Sequence, residues 1–368
     1  MKKKKILIVA NDTTFIYKLR KEIILEFINE GHEVVIVAKL LRFVKELDSM
    51  GCSLIDFDFH RIATNPVNDL ILFKNIYKLI KREKPDIIFT NSIKPNVYFG
   101  IGSKLLKIPM IPNISGLGRA LEYPGVLQKI SIILYKMGMT GASIVLFQNE
   151  FNKNFFRSKK IISDNKENIV LPGSGVNLDE YNVLEYPKSE DINFLFIGRI
   201  RQEKGIDYII NSAQKLHEKY PNIKFDLCGL CEDAKYLEIF KKFNELDFIE
   251  YHGEIEDLSE FYKKAHCIVH PTYYPEGMSN VLLEACSHAR PIITTDRPGC
   301  REIVDDGYNG YMIKTRNQDQ LDSALEKFIN LNYEDKLKMG LNGREKIENN
   351  FDRRFVVSQY MKIIETYL

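Results

Sequence analysis

The feature that most constrains this chain is an alternation of strand and helix patterns that runs through it twice. From residue 5 to about 160, short β-rich runs such as K-I-L-I-V-A and E-V-V-I-V-A alternate with segments that place apolar residues at helical spacing. A polar stretch, S-K-K-I-I-S-D-N-K-E-N, interrupts the pattern, which restarts at residue 192 with I-N-F-L-F-I-G. Strands that alternate with helices predict βαβ units and a mostly parallel sheet. We therefore predict an α/β protein with two Rossmann-like, doubly wound domains.

The length of 368 residues agrees with two domains, because one compact core rarely grows this large. The predicted first domain spans residues 1–172 and the second spans 173–350. Residues 351–368 are predicted to form a C-terminal helix that packs back on the first domain. Two such domains are expected to face each other across a cleft, with ligands at the carboxyl ends of the strands.

Composition excludes several classes of protein. The net charge of +2, from 52 basic and 50 acidic residues, gives no case for a nucleic-acid partner. No run of 18 apolar residues is present, and the start, M-K-K-K-K-I-L-I-V-A-N-D, is better explained as a first strand than as a signal peptide. Six cysteines in so long a chain do not make a disulfide scaffold, which favours a cytoplasmic protein. The C-G-L-C pair, Cys228 and Cys231, is interpreted as a strand running into a glycine turn rather than a redox or zinc site.

Two cations mark the start of the second domain. In F-L-F-I-G-R-I-R-Q-E-K-G-I-D, a strand ends at Gly198 and a helix opens at Gly205, and Arg199 and Lys204 flank the loop between them. A helix N-terminus favours anions, and an arginine and a lysine beside it would suit a nucleotide diphosphate. Two solvated surface cations are the alternative reading of the same residues.

Two carboxylates follow in P-E-G-M-S-N-V-L-L-E-A. Glu276 lies in a Pro/Gly turn and Glu284 inside a predicted helix, which Ser279 could cap while the N–H groups of 277–280 point at a phosphate. Acids would repel that phosphate, so they are expected to accept hydrogen bonds from hydroxyls. Eight helical residues span about 12 Å, whereas glycosidase carboxylates lie roughly 5 to 9.5 Å apart. The spacing therefore favours the ribose end and the sugar end of one donor over a hydrolytic pair.

These motifs resemble those of the retaining glycosyltransferases of family 4. The resemblance rests on G-R-I-x-x-x-K-G, on H-P-T-Y-Y-P-E-G-M-S-N-V-L-L-E-A and on P-I-I-T-T-D-x-x-G-C-R-E-I-V-x-D-G-x-N-G, and more weakly on G-S-G-V-N at 173–177. It implies a GT-B fold, a nucleotide-sugar donor on the second domain, no metal and no cofactor. It also implies that three residues are catalytic, the first two by clamping the diphosphate: Arg199, Lys204 and Glu276. The implied donor-binding residues are Gly198, Gly277, Met278, Ser279, Asn280, Val281 and Glu284.

The first half resembles a subgroup that extends polyprenyl-diphosphate-linked oligosaccharides in capsule, O-antigen and glycan assembly. The matching stretches are N-S-I-K-P-N-V-Y-F-G, I-S-G-L-G and R-x-x-x-N-P. The implied acceptor-side residues are Asp12, Arg61, Lys94, Asn96 and Gly116. Two departures bear on the acceptor: the first turn is N-D-T-T rather than glycine-rich, and N-S stands where many relatives carry a histidine after the fourth strand.

Three further signals have rival readings. The D-F-D triplet, residues 56–58, matches the metal-binding signature of another glycosyltransferase fold, but it closes an alternating run and its acids are expected on one strand face. Histidines 252, 266, 270 and 288 match no metal-ligand spacing, although His270 could touch the donor. The apolar segment 127–139, which carries Lys129 and Lys136, is either a core helix or a surface that lies on an anionic bilayer.

The expected function follows from this resemblance. The chain would move a hexose or N-acetylhexosamine from a nucleotide-diphosphate sugar, with UDP the expected nucleotide, to a lipid-linked or growing polysaccharide in cell-surface glycan synthesis. It would act in the cytoplasm or at the inner face of the cell membrane. The alternatives are a non-catalytic sugar- or nucleotide-binding subunit of a polysaccharide assembly complex, and an epimerase or phosphorylase of the same fold.

Overall fold

The computed structural model describes residues 3–59, 66–243 and 246–367. The chain forms two compact units, one made of Met1–Gly175 with Arg353–Leu368 and the other of Val176–Asp352. Each unit has a wholly parallel sheet and two hydrophobic clusters. The predicted α/β class with two Rossmann-like units is therefore confirmed.

The first unit has a seven-stranded sheet in the order β3-β2-β1-β4-β5-β6-β7. Its strands are β1 (Lys5–Asp12), β2 (Glu33–Lys39), β3 (Ser53–Asp56), β4 (Ile87–Asn91), β5 (Met110–Ile114), β6 (Val145–Phe147) and β7 (Asn168–Val170). Its helices are α1 (Thr13–Asn29), α2 (Val44–Ser49), α3 (Pro66–Glu83), α4 (Ile93–Leu106), α5 (Gly118–Glu122), α6 (Val126–Met139) and α7 (Glu150–Ser158).

Strand β1 shows why this sheet is covered on both faces. Leu7 and Val9 belong to one hydrophobic cluster, and the alternate residues Ile6 and Ile8 belong to the other. Successive side chains of a strand point to opposite faces, so an unbroken apolar run must be buried on both. The K-I-L-I-V-A pattern is thus explained by helices packed above and below the sheet.

The last helix, α14 (Arg353–Tyr367), is part of the first unit. It buries Val356 and Tyr360 in the same cluster as Ile6, and the Tyr360 hydroxyl accepts a hydrogen bond of 3.1 Å from Nδ2 of Asn113. At its start, the Arg353 guanidinium pairs with a carboxylate of α1 at 2.9 Å. Apolar packing and one ion pair therefore hold α14 in this unit.

The second unit has a six-stranded sheet in the order β10-β9-β8-β11-β12-β13. Its strands are β8 (Ile192–Ile197), β9 (Ile223–Cys228), β10 (Ile249–Gly253), β11 (Cys267–His270), β12 (Ile292–Thr295) and β13 (Gly310–Ile313). Its α-helices are α8 (Ile206–His217), α9 (Ala234–Phe243), α10 (Ser259–Lys264), α11 (Asn280–Ser287), α12 (Gln318–Ile329) and α13 (Tyr333–Asn350).

Candidate active site

The strand order of the second unit defines where a ligand can sit. From β8 the chain goes to β9 on one side, and it later returns to place β11 on the other side of β8. Open parallel sheets bind ligands outside the carboxyl ends of the strands, at the point where the order reverses. Arg199 follows β8 and Glu276 follows β11. Two of the three residues predicted to be catalytic thus flank this reversal point.

The loop after β8 packs tightly on the loop after β11. A short 3-10 turn, Gln202–Lys204, leads into Gly205, whose φ is +81°. A Cβ at this glycine would lie 2.3 Å from the carbonyl oxygen of Pro271, so no other residue fits without movement of the backbone. The Glu203 carbonyl accepts bonds from the N–H groups of Tyr273 and Tyr274, at 2.9 and 3.1 Å. These contacts fix Lys204 against the second loop.

Lys204 and Glu276 form an ion pair between the two loops. Their side chains are 18 % and 17 % exposed, so the pair is largely shielded but still reachable from solvent. The Lys204 ammonium also lies 5.3 Å from the ring centre of Tyr274, within range of a cation–π contact. The pair lines a cavity of about 280 Å³ together with Arg199, Arg201, Glu203 and Tyr274.

The start of α8 adds a positive end to this cavity. Gly205 occupies the cap position of α8, and no side chain caps the helix there. The first N–H groups of an α-helix lack intrahelical partners and carry partial positive charge. Lys204 immediately precedes this end, so two loop cations and a helix N-terminus lie within one short segment. An anionic ligand is the group that such an arrangement stabilises.

The predicted phosphate contact of residues 277–280 needs one correction. Ser279 occupies the cap position of α11, but its side chain makes no capping bond. Its N–H donates to the carbonyl oxygen of Gly299 at 2.8 Å, so it is not available to a phosphate. The first intrahelical bond runs from Leu283 to Ser279, and the N–H groups of Asn280 and Val281 precede it in the first turn.

The other predicted donor residues surround this turn. Gly277 and Met278 are buried, and the Met278 side chain belongs to the hydrophobic core, so only its backbone could meet a ligand. Gly198 directly follows β8 and has a φ of +152°. Glu284 lies in the second turn of α11, is half-buried and accepts a hydrogen bond of 3.2 Å from the Tyr262 hydroxyl. Backbone and carboxylate groups, rather than apolar side chains, therefore form the contact surface predicted here.

The first sheet reverses its order between β1 and β4, and three predicted acceptor residues follow strands at that edge. Asp12 ends β1, Lys94 lies in the first turn of α4 after β4, and Gly116 follows β5. Because β1, β4 and β5 are neighbours in a parallel sheet, their carboxyl ends share one edge. Arg61 lies outside the described residues.

Asp12 and Asn96 also have structural partners in this unit. Oδ1 of Asp12 accepts a 2.8 Å bond from the N–H of Phe15 and caps α1. Asn96 is 1 % exposed, and it accepts a bond from the Thr90 hydroxyl at 2.7 Å and donates one to the Asn113 carbonyl at 3.1 Å. These bonds tie α4 to β4 and β5. They give Asn96 a structural role and leave an acceptor contact by its side chain as a prediction without support.

Comparison with known proteins assigns both halves of the chain. Residues 184–346 match the family described as Glycosyl transferases group 1, and residues 5–149 match the family described as Glycosyl transferase 4-like. The chain belongs to these glycosyltransferases. The sequence-based assignment to a glycosyltransferase family is thus confirmed.

Full-length relatives of this glycosyltransferase have related names. This chain is 26 % identical to a Campylobacter jejuni protein named N,N′-diacetylbacillosaminyl-diphospho-undecaprenol alpha-1,3-N-acetylgalactosaminyltransferase, with 95 % of each chain covered. It is 26 % identical to the Staphylococcus aureus capsular polysaccharide biosynthesis glycosyltransferase CapM, over 82 % of this chain and 83 % of the relative. An Escherichia coli relative named UDP-Gal:alpha-D-GlcNAc-diphosphoundecaprenol alpha-1,3-galactosyltransferase is 24 % identical over 82 % and 80 %.

Solved structures agree with the GT-B fold of this glycosyltransferase. A Rickettsia africae glycosyltransferase superposes with a TM-score of 0.80 at 19 % identity, covering 100 % of this chain and 99 % of the other. The Anabaena protein HepE, solved in complex with UDP-glucose, gives a TM-score of 0.79 at 15 % identity, covering 99 % and 100 %. At such low identity these matches establish the fold and nothing finer. Within the described residues, no helix combines the length and the apolar character needed to cross a membrane.

The D-F-D triplet and the C-G-L-C pair both lie at the ends of strands in this glycosyltransferase. Strand β3 ends at Asp56, so the two acids of the D-F-D triplet do not share a strand face as expected. Asp56 is exposed and pairs with Lys39 at 3.0 Å. Strand β9 ends at Cys228 and Gly229 follows with a φ of +148°, which confirms the strand-to-turn reading. Burial raises the pKa of the Cys228 thiol to about 12, the reverse of what a reactive thiol needs.

The surroundings of two histidines bear on what the sequence predicts for them. His252 lies between Asp226 and Glu250, with Nε2 2.6 Å from an Asp226 oxygen, so three possible metal-ligand groups meet on β9 and β10 although sequence spacing indicated none. The imidazole of His270 is 1 % exposed and does not line the cavity beside Lys204. Burial, and then the charge of Lys204, holds the pKa of His270 well below its usual value, so this ring is neutral.

Sequence reasoning missed the aromatic wall of the cavity and the support of Glu284. Tyr274 faces Lys204, and the Y-Y pair before Pro275 in the donor motif was a signal that could have identified it. Tyr262 is 22 residues from Glu284 in sequence, and nothing in S-E-F-Y-K-K predicts their hydrogen bond. Contacts of this kind depend on how two helices pack.

Proposed function

We propose that this glycosyltransferase is a retaining, metal-independent enzyme that transfers a hexose or N-acetylhexosamine from a UDP-sugar to a polyprenyl-diphosphate-linked glycan. The observation that carries the donor half of the proposal is the Lys204–Glu276 pair, which lines one cavity with Arg199 at the reversal point of the second sheet. Two cations, one acid and a helix N-terminus supply what a sugar diphosphate requires. The cations would neutralise charge that many enzymes leave to a divalent ion.

The ion pair suggests how the donor enters. A diphosphate brings more negative charge than one carboxylate, so it competes with Glu276 for the Lys204 ammonium. Once displaced, Glu276 can accept hydrogen bonds from hydroxyls of the donor sugar. As the glycosidic bond breaks, negative charge grows on the departing phosphate, and Arg199 and Lys204 stabilise it there.

The identities of donor and acceptor are supported by relatives. HepE, of the same fold, was solved with UDP-glucose, and the Escherichia coli relative is named as acting with UDP-Gal on a diphosphoundecaprenol-linked sugar. The Campylobacter jejuni relative is also named for a diphospho-undecaprenol acceptor and matches over nearly the whole chain. These names favour a UDP-sugar and a polyprenyl-diphosphate glycan, as part of cell-surface glycan synthesis.

A thermal-shift panel of UDP-, GDP-, dTDP- and CMP-sugars tests the donor site. Binding stabilises the folded state in proportion to the logarithm of ligand over Kd, so the true donor should raise Tm most. Lys204→Ala should abolish this increase and lower kcat/KM by about 100-fold, the usual effect of losing one charge-stabilising donor. Lys219→Ala is the matched control, because Lys219 is also ion-paired, to Glu326 at 2.8 Å, but does not line the cavity.

The donor assignment would be contradicted if Lys204→Ala kept the nucleotide-dependent increase in Tm. It would also fail if UDP-sugars and CMP-sugars stabilised the wild type equally, since the site would then not distinguish nucleotides. Equal losses in Lys204→Ala and Lys219→Ala would indicate a stability effect of the second unit rather than a donor contact.

A membrane-linked acceptor calls for a surface that meets the bilayer, and the exposed face of α6 is our candidate for it. Val126, Ile130, Ile133 and Met137 form a stripe along this helix, and each is between 49 % and 75 % exposed. At about 100° per residue these four side chains lie within some 60° of one another, opposite the face that buries Tyr135. The stripe therefore points straight into solvent.

Lysines border this stripe. Lys129 and Lys136 are both exposed and fall on the same flank of it, seven residues apart. Apolar side chains bordered by lysines suit a helix that lies in the interface of an anionic bilayer. We infer that α6 docks on such a surface, which is the peripheral membrane contact considered for segment 127–139.

Flotation with phosphatidylglycerol-containing vesicles tests this surface. Wild-type protein should float, Ile130→Ser with Ile133→Ser should not, and Lys129→Glu with Lys136→Glu should lose the preference for anionic over phosphatidylcholine vesicles. Leu237→Ser with Leu341→Ser is the control, because both leucines are exposed in the second unit. Flotation of the Ile130/Ile133 variant at the wild-type level would contradict the proposal.

A further inference from the structure

Tyr262, on α10, donates a hydrogen bond to the carboxylate of Glu284, on α11. Its hydroxyl lies 3.2 Å from Oε2 of Glu284, and the side chain of Tyr262 is fully buried. Burial, and then the charge of Glu284, raises the pKa of Tyr262 well above its ordinary value. The hydroxyl therefore keeps its proton at any working pH and remains a donor.

The position of Tyr262 is itself fixed by a buried arginine. The guanidinium of Arg290 is fully buried, and its Nε donates to the Tyr262 carbonyl at 2.8 Å. Its other nitrogens donate to the carbonyls of Glu185 at 2.8 Å and of Leu184 and His288 at 3.2 Å. A cation at the C-terminal end of α10 satisfies carbonyls that the helix leaves unpaired. The backbone that carries Tyr262 is thus anchored to the segment before β8 and to the end of α11.

We propose that Tyr262 is a positioning residue for the ribose of the nucleotide donor, acting through Glu284. This inference rests on the proposed function, together with the sequence-based prediction that Glu284 accepts hydrogen bonds from the ribose hydroxyls of the donor. A carboxylate has about four acceptor positions, so a bond from Tyr262 to Oε2 orients the group and still lets it accept from a ligand. It also restricts the rotamers of a long, flexible side chain before the ligand binds, which lowers the conformational entropy lost on binding.

A purely structural tyrosine would behave differently, and the second unit supplies one for comparison. Tyr186 is also buried, and its hydroxyl donates to the His266 carbonyl at 2.9 Å. Tyr186→Phe therefore removes a buried tyrosine hydroxyl bond of similar length without touching a proposed donor residue. Any effect shared by the two variants is a stability effect, and an effect specific to Tyr262→Phe belongs to Glu284.

The test compares binding of UDP and of 2′,3′-dideoxy-UDP, which lacks both ribose hydroxyls. Wild-type protein should bind UDP at least about 10-fold more tightly, as expected for hydroxyls that bond a charged group. Tyr262→Phe should weaken UDP binding by about 3- to 10-fold, leave the dideoxy ligand unaffected and so reduce the ratio. At saturating donor its kcat should be retained while KM for the donor rises. Tyr186→Phe should keep the wild-type ratio.

Glu284→Gln distinguishes the ribose role of Glu284 from the positioning role of Tyr262. If wild-type protein does not discriminate between the ligands, or if Glu284→Gln keeps the full ratio, the ribose role of Glu284 fails. The diphosphate contact of the donor site is tested separately by Lys204→Ala. If Glu284→Gln loses the ratio but Tyr262→Phe keeps it, only the positioning role of Tyr262 is overturned. Equal weakening of both ligands by Tyr262→Phe and Tyr186→Phe would also overturn it.

Discussion

The two units repeat one strand order, but the helix that follows the central strand begins differently in each. In the first unit, the carboxylate of Asp12 caps α1 by accepting the N–H of Phe15. In the second, Gly205 occupies the equivalent cap position of α8, and no side chain bonds to it. A helix end whose N–H group is bonded to a capping carboxylate is a poor site for phosphate, and an end without such a bond is a better one. The first turn of α8 does carry Asp207, which pairs with Lys235 at 3.6 Å. The comparison supports the proposed donor site in the second unit.

The cations of the two units are used differently as well. Lys204 and Arg199 lie at a solvent-accessible cavity. In the first unit, Arg20 is buried and donates to Oδ1 of Asn91 at 2.9 Å and to the Ser174 hydroxyl at 3.0 Å. A guanidinium that donates to internal acceptors stabilises the fold rather than binding a ligand. The second unit thus places Arg199 and Lys204 at a cavity, whereas in the first unit Arg20 is committed to internal hydrogen bonds.

Of the changes considered, Glu276→Gln should have the largest effect on activity. The variant keeps the shape of Glu276 but removes the charge that pairs with Lys204. We expect kcat to fall by about 100-fold, because a developing contact to the sugar is lost, while free UDP binds a few-fold more tightly, since no carboxylate competes for Lys204. Enzyme kinetics and calorimetry would measure the two. Glu326→Gln is the matched control, because Glu326 is also paired with a lysine, Lys219. Weaker UDP binding by Glu276→Gln would contradict the proposal that the diphosphate displaces Glu276 from Lys204.

The second-largest expected effect is a loss of stability of the second unit when the pH is lowered. Burial is the main cause that lowers the pKa of His266 to about 4, while Nδ1 of this ring accepts the N–H of Asn193. An unfolded histidine has a pKa near 6.5, so below that pH the unfolded chain binds more protons and stability falls. From pH 7 to pH 5 the loss is about 2 kcal/mol for this residue. In residues 3–59 and 66–175 His32 is the buried histidine, so the first unit has fewer groups of this kind.

Hydrogen exchange at pH 7 and pH 5 would measure this difference unit by unit. His266→Asn should flatten the dependence, because the amide oxygen can replace Nδ1 as acceptor for Asn193 and does not titrate in this range. Greater acid sensitivity in the first unit than in the second, or an unchanged slope in His266→Asn, would be inconsistent with the assignment.

Asp12→Ala should have the smallest effect. Loss of the cap on α1 should lower the free energy of unfolding by about 1 kcal/mol, measured by urea denaturation. KM for the donor should not change, whereas KM for the acceptor should rise if Asp12 also has its predicted acceptor role. Asn149→Ala removes a similar cap, the 2.8 Å bond to the N–H of Asn152 that starts α7, and serves as control. A change in donor KM with Asp12→Ala would blur the contrast between the two units.

Much of the fold could be predicted because it depends on local patterns. The apolar runs of β1 and β8 identify strands covered on both faces, and the loop between Gly198 and Gly205 is defined by its own glycines. The D-F-D triplet was misplaced on one strand face because the end of a strand such as β3 depends on its neighbour, strand β2. Strand periodicity does not report where pairing stops.

The site shows the same division. Arg199, Lys204 and Glu276 are found from motif spacing, and the structure brings them to one cavity. The Ser279 N–H is lost to Gly299, and Glu284 gains Tyr262, through packing between segments that are 20 or more residues apart. Such bonds depend on how the whole core packs, so no short sequence pattern could have indicated them.

The placement of α14 has a consequence for how the chain is built on the ribosome. Residues 176–352 contain every element of the second unit, so that unit can close as soon as they emerge. The first unit, although nearly all of it is synthesised earlier, lacks the strip of core that holds Val356 and Tyr360 until α14 follows. Domains fold as units during synthesis. The half that is translated first is therefore the half that matures last, and its exposed apolar groove is what a chaperone would have to shelter in the meantime.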